Sequence, residues 1–188
     1  MIEIINSYDK LIQNTSSLAR ALKIYPKVFE KEEFHKLHKF FDKALFTVLN
    51  HLDLAIGLKY LDVSQGVGNN LEANYFSRIL ILTSHEILND LNKKVGKEIR
   101  LELTTKIGIE GLKDLDETTK EMNALKKKHL KKLKDLRNNV LGHKQEHAYQ
   151  QTEMMVSINN KEIYDIANEI FKVQMKFIGT YSDLIRNM

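Results

Sequence analysis

Arg137, Asn138 and His143 fall within one short run, Leu136-Arg137-Asn138-Asn139-Val140-Leu141-Gly142-His143. These residue types suit one chemistry. Cleaving RNA without a metal needs a base for the 2′-hydroxyl proton, an acid for the leaving 5′-oxygen and positive charge on the phosphate between them. Histidine titrates near neutrality and can serve as either base or acid. Arginine presents planar, paired donors to a phosphate. Asn138 can orient a catalytic group or bond the phosphate. The spacing by itself is a weak signal. With five arginines and seven histidines in 188 residues, chance alone gives about half a match to such a pattern. Context has to supply the rest.

The element that must position these side chains is a helix over about 117–141. On a wheel of about 100° per residue, Leu125, Leu133, Leu136 and Val140 gather on one side, with Leu130 and Leu141 at a flank. Lys127, Lys128, Lys131, Lys132, Lys134 and Asn139 spread round the other side. Arg137 departs from them and lies near Leu130, at the edge of the apolar arc. If the helix continues, His143 comes about 120° round from Arg137, with Val140 between them. Both side chains then flank one apolar ridge. A second copy meeting that ridge across a two-fold axis would bring two arginines and two histidines together. A homodimer is therefore the expected assembly.

Charge is concentrated on the same helix. Residues 126–137 carry a net +6, and the remaining residues sum to −2. The chain is thus slightly acidic with one basic element, a footprint for a polyanion. Lys127, Lys128, Lys131 and Lys134 are the expected RNA contacts, with Tyr149, close after His143, a candidate to stack on a base, although a surface or interface tyrosine is the more common case. A solvated helix face is the plainer account of the lysines.

Around this helix the chain reads as all-α. A single proline and eight glycines leave room for long helices. Helices are expected over about 2–23, 28–60, 71–95 and 161–186, with a short helix and turn in 97–113. The clearest loop is Asp62 to Asn70, where Asn69 or Asn70 caps the next helix. The helix at 71–95 is apolar over a broad arc, which suggests burial on more than one side. Residues 142–153 read as a polar connection and Met154–Ile158 as an extended lead-in, with Asn159 or Asn160 capping the last helix.

The run from Leu136 to His143, at the end of a long helix and preceded by Leu133-Lys134-Asp135, resembles the signature of the HEPN superfamily. More narrowly it resembles the AbiU2-like abortive-infection branch. The resemblance covers roughly 70–188 and implies an HEPN-like helical bundle there, with residues 1–69 an added N-terminal helical pair packed on it in one compact unit. It also implies a dimeric, metal-independent endoribonuclease of toxin–antitoxin, abortive-infection or related defence systems. Arg137 and His143 would be catalytic, with Asn138 the polar residue beside the arginine. An antitoxin or a nucleotidyltransferase is the implied partner. Gly142 stands where the branch commonly carries alanine, and Lys144-Gln145-Glu146 follow where an acidic residue is common. Some members of the superfamily are non-catalytic dimerisation or binding modules, and that is the alternative function.

Other chemistries are poorly served. No cysteine is present, which excludes disulfide scaffolds, thiol catalysis and Cys-ligated metal centres. His143 and His147 have a helical metal-ligand spacing but no metalloprotease glutamate between them, so neither metal nor cofactor is expected. His35 and His38 read as an exposed polar face. Ser84-His85-Glu86 has triad residue types, but helix neighbours point apart; one of the three is expected to face the motif helix, and Glu86 is a structural partner for Arg137. Gly66-Val67-Gly68 lacks the lysine and strand of a phosphate loop. The longest apolar run, Ile79–Leu82, is far short of a membrane span. The amino end shows no basic region leading into an apolar stretch, so the expected location is the cytoplasm.

Overall fold

Apolar residues recurring every three or four positions define the first long helix, α1 (His38–Gly66). Phe40, Phe41, Ala44, Val48, Leu54, Ala55, Leu58 and Leu61 are all buried along it. The computed structural model describes residues 8–9, 11–16, 19–20, 38–91, 96–140, 153 and 156–186. Within these, α1 is followed by α2 (Asn70–Asn89), α3 (Lys97–Ile107), a 3₁₀ turn at Glu110–Leu112, α4 (Lys113–Val140) and α5 (Asn160–Arg186). Residues 11–16 are also helical. The described residues are all-α, and none of their helices is long and apolar enough to cross a membrane.

The expected loop at 62–70 is much shorter in the structure. Asp62, Val63, Ser64 and Gln65 continue α1, and only Val67, Gly68 and Asn69 separate it from α2. The reason is a glycine-centred C-cap. Gly68 has φ 73°. Its N–H donates to Gln65 O at 3.1 Å, and the Asn69 N–H donates to Ser64 O at 2.9 Å. Those two bonds satisfy carbonyls that a helix end leaves open. Asn69 then starts α2, its side chain accepting from the Glu72 N–H at 3.2 Å. One short turn thus closes one helix and opens the next, and the chain reverses within three residues.

Two other boundaries also move. The third expected helix stops at Asn89, where the Asp90 N–H donates to Glu86 O, and not at Gly96. Gly96 instead begins α3, which ends at Gly108, also at φ 73°. Where the extended lead-in was expected, Val156 is helical and the Ser157 N–H donates to Glu153 O at 3.0 Å. Met154 and Met155 lie outside the described residues. Asn159 caps α5, accepting from the Glu162 N–H at 3.1 Å.

Cross-helix contacts set the directions. Tyr60 stacks on Phe76 at 5.1 Å and Gly57 faces Leu80, so α1 and α2 are antiparallel. A Cβ at Gly57 would lie 2.7 Å from Leu80 Cδ2, so glycine is what lets the two backbones approach there. Phe40 meets Tyr181 and His51 stacks on Phe171, which makes α5 antiparallel to α1. Lys176 pairs with Glu121 and Lys132 with Glu162, so α4 and α5 are antiparallel as well. The result is an up-down-up-down four-helix arrangement with one continuous core. α2 and α5 run parallel and touch across its middle. Their amino-terminal ends are tied by Asn160, whose Nδ2 donates to Asn74 Oδ1 at 2.8 Å while its Oδ1 accepts from Ser77 Oγ at 2.7 Å.

Candidate functional site

Helix α4 has no glycine or proline from Lys113 to Val140. It carries Asp114 and Asp116 in its first turn and Arg137 in its last, the arrangement the helix dipole favours. Leu133 is fully buried, while Leu125, Leu130 and Leu136 are partly buried against the core. The expected apolar side of the helix is therefore the packed side.

Two flanks follow from that placement. On the α5 flank, Lys128 donates to both Glu169 oxygens at 2.9 Å, His129 Nε2 lies 2.9 Å from Glu169 Oε2, and Lys132 pairs with Glu162. The bonds to His129 and Lys128 hold the Glu169 carboxyl below its ordinary range. On the α2 flank, Lys126 Nζ donates to Asn89 O at 3.4 Å. Arg137 lies on that same flank, since residues 126, 130, 133 and 137 share a helical stripe. Lys127, Lys131 and Lys134 share a third, outward stripe and are exposed.

The expected site residues therefore divide. Arg137 and Asn138 sit side by side, exposed, in the last turns of α4. Among the described residues neither makes an ion pair or a side-chain hydrogen bond. Lys127, Lys131 and Lys134 line up on one face, and Lys128 turns instead to Glu169. His143, His147, Tyr149 and the rest of the connection at 142–152 lie outside the described residues, as does His35. No cluster of three metal-binding side chains occurs among the described residues.

Of Ser84, His85 and Glu86, it is His85 whose ring feels the charge of Arg137. α2 and α4 run antiparallel with Lys126 beside Asn89, so His85, one turn back along α2, stands at the level of Leu130, and Arg137 lies further along, nearer the level of Arg78. His85 is 8% exposed, and its Nδ1 is buried with no hydrogen-bond partner among the described residues. Burial lowers its pKa below the ordinary 6.5, and the positive charges of Arg137 and Lys134 lower it further. Glu86 and Asp90 act in the opposite sense. Glu86, the expected partner of Arg137, is exposed and makes no ion pair with it; on its other side it stands close enough to Asp53 of α1 to help raise that carboxyl's pKa, behind the larger effect of burial.

Two buried histidines escaped the sequence reading. His129 occupies the position between Leu125 and Leu133 at four-residue steps, and His51 falls among Val48, Ala55 and Leu58 on α1. Each sits on an apolar stripe at helical spacing, and that was the available signal. Comparison of the chain with protein-family models, with curated proteins and with solved structures found no match.

Proposed function

We propose that this protein is a metal-independent endoribonuclease of a toxin–antitoxin, abortive-infection or related defence system. In this reading it is cytoplasmic and works as a homodimer, with an antitoxin or a nucleotidyltransferase as a further partner. The observation that carries it is Arg137: an exposed arginine at the end of a long basic helix, with no ion pair among the described residues, six positions before a histidine. An arginine on a helix flank ordinarily finds a carboxylate, and α4 does pair its neighbours Lys128 and Lys132 in that way. Arg137 keeps its paired donors available for a phosphate. His143 takes or gives the proton, Asn138 assists, and the lysines draw in RNA.

The test is cleavage of an unstructured RNA in EDTA. Wild type cleaves it; His143→Ala loses about 100-fold or more, the usual worth of a positioned acid or base; Arg137→Ala loses activity comparably. Absence of cleavage by the purified dimer, or full activity in both variants, overturns the proposal.

A second reading has its own observation. Leu71 and Tyr75 on α2 are 80% and 56% exposed, and Tyr60 on α1 is exposed beside Phe76. Such a set favours a non-catalytic dimerisation or partner-binding module. It predicts association that survives His143→Ala and disappears in Tyr75→Glu, measured by light scattering.

A further inference from the structure

We propose that Arg78 of α2 joins Arg137 of α4 in holding successive phosphates of a single nucleic-acid strand laid along the α2–α4 seam. The proposal rests on the reading of Arg137 as a phosphate ligand and adds to it a cation from a different helix.

Side-chain contacts fix which way Arg78 turns. Around α2, Phe76 and Leu80 face α1, and Ser77 bonds to Asn160 of α5. The flank left for α4 is the stripe of Arg78, Leu82, His85 and Asn89. Asn89 is where Lys126 of α4 meets it. On α4, the stripe of Lys126, Leu130, Leu133 and Arg137 looks back at α2. Arg137 is as far on from Lys126 as Arg78 is back from Asn89, so the antiparallel register sets the two arginines at one level. The pair stands at the outer edge of the seam, with Arg137 exposed and Arg78 half-buried.

Charge along the seam is polarised. α2 carries no acid from Ala73 to His85. From His129 to Asn138, α4 carries one, Asp135, about 200° round from Arg137 and so turned away from α2. The acids Glu86 and Asp90 begin two turns further along α2, with Asp53 of α1 close to Glu86. The part of the seam nearest the carboxyl end of α4 is therefore cationic. Two guanidinium forks brought to one level from different helices select an anion with several oxygens, and a phosphodiester can take each fork bidentately. Long side chains on a helix lean towards its amino end. Because α2 and α4 are antiparallel, the two forks lean apart along the seam. They suit two phosphates in sequence, which a strand supplies and a free phosphate does not.

The probe is a short, labelled single strand of 2′-deoxynucleotides, which has the phosphodiesters but no 2′-hydroxyl to react. Its anisotropy is read against salt with the full-length protein, and inorganic phosphate is the competitor. One phosphate contact contributes about 0.7 to the logarithmic salt slope, or about fivefold in affinity at 0.1 M salt. Arg78→Gln and Arg137→Gln should each lose that much, and the double variant about twice the slope. Arg78→Met keeps the apolar stem without the charge and should show the same loss as Arg78→Gln. Arg78→Lys keeps the charge and should keep the slope, which a merely structural role for Arg78 would not require. Lys128→Gln, whose cation is already held by Glu169, should leave the slope unchanged. The proposal is overturned if the strand does not bind, if the folded Arg78→Gln or Arg78→Met protein binds as wild type does, or if Arg78→Lys loses as much slope as they do. It is also overturned if inorganic phosphate competes as well as an equal concentration of strand phosphates, which would mark a site for a lone anion. Its failure is separable from failure of the nuclease reading. Strand binding through both arginines without RNA cleavage keeps the phosphate track and removes the enzyme. RNA cleavage that depends on His143, with strand affinity indifferent to Arg78, keeps the enzyme and removes the track.

Discussion

Lowering the pH from 7 to 5 should cost the protein about 2 kcal/mol through one side chain, His51. The ring stacks on Phe171 with centroids 4.2 Å apart and planes 12° from parallel. It is 1% exposed, and its Nδ1 has no hydrogen-bond partner among the described residues. Burial without compensation drops its pKa from 6.5 to about 4. The native state therefore resists a proton that the unfolded chain accepts readily. Above pH 6.5 both states are neutral and the group has no effect on the balance. As pH falls from 6.5 towards 4, only the unfolded state gains the proton. Stability falls by about 1.4 kcal/mol per unit, roughly 3 kcal/mol in all. Glu98 and Glu169 have folded-state pKa values below the ordinary 4.5, so their loss of stability sets in only near pH 5 and below, and it is common to both proteins in a comparison at His51. His85 adds a loss of the same sign, which a comparison at His51 cancels. The assay is urea unfolding of wild type and His51→Leu at pH 7 and pH 5. At pH 7 the two should differ by less than about 2 kcal/mol, since leucine refills an apolar site but forgoes the ring stack. At pH 5 wild type should have lost about 2 kcal/mol more than the variant. Parallel pH curves for the two proteins would refute the reasoning.

Other predictions follow from packing and charge. Leu133→Ala, at a fully buried position on α4, should lower unfolding free energy by about 2–5 kcal/mol in urea titration. Asn69→Ala removes the acceptor for the Glu72 N–H and should cost about 1 kcal/mol by the same measurement. Gly57→Val drives a side chain into Leu80 and should cost about 1–3 kcal/mol, with Leu80→Ala in the same chain recovering part of it. Replacing Lys127, Lys131 and Lys134 together by alanine should flatten the dependence of single-stranded RNA affinity on salt. The logarithmic slope should shrink by about 0.7 for each phosphate that a lysine no longer neutralises. Fluorescence anisotropy at several salt concentrations reads it.

The helices were legible because their signal is periodic. α4 and α5 show apolar residues at three- and four-residue steps over their whole lengths, and their burial follows that pattern. Boundaries were less legible where a turn is made by backbone bonds that composition does not reveal. Asp62 to Gly66 reads as polar loop, yet nothing in those residues forbids a helix, and the C-cap at Gly68 needs only one left-handed residue. Gly96 reads as a helix end and is the start of the next one, because glycine serves either terminus. His51 and His129 were hidden for a different reason. A histidine on an apolar stripe looks like a polar interruption, and only the neighbouring helix shows what it meets: Phe171 for the first and Glu169 for the second.

The basic helix divides its charge among its flanks. As a count, seven cations between residues 126 and 137 are interchangeable. In the fold they do three kinds of work. Lys128 and Lys132 reach α5 carboxylates, Lys126 reaches a carbonyl at the end of α2, and Lys127, Lys131 and Lys134 form an outward row. Exposed pairs such as Lys128–Glu169 are worth up to about 1 kcal/mol each, so they steady the α4–α5 seam without explaining why the helix is so basic. Arg137 fits none of these uses. It stands on the α2 flank with no ion pair among the described residues, and its field reaches a buried imidazole with a nitrogen unbonded. A purely structural arginine would be expected to neutralise Glu86 there, and it makes no ion pair with it. Arg137 therefore has no structural employment among the described residues, which is why the proposed phosphate contact is placed at its guanidinium and not along the lysine row.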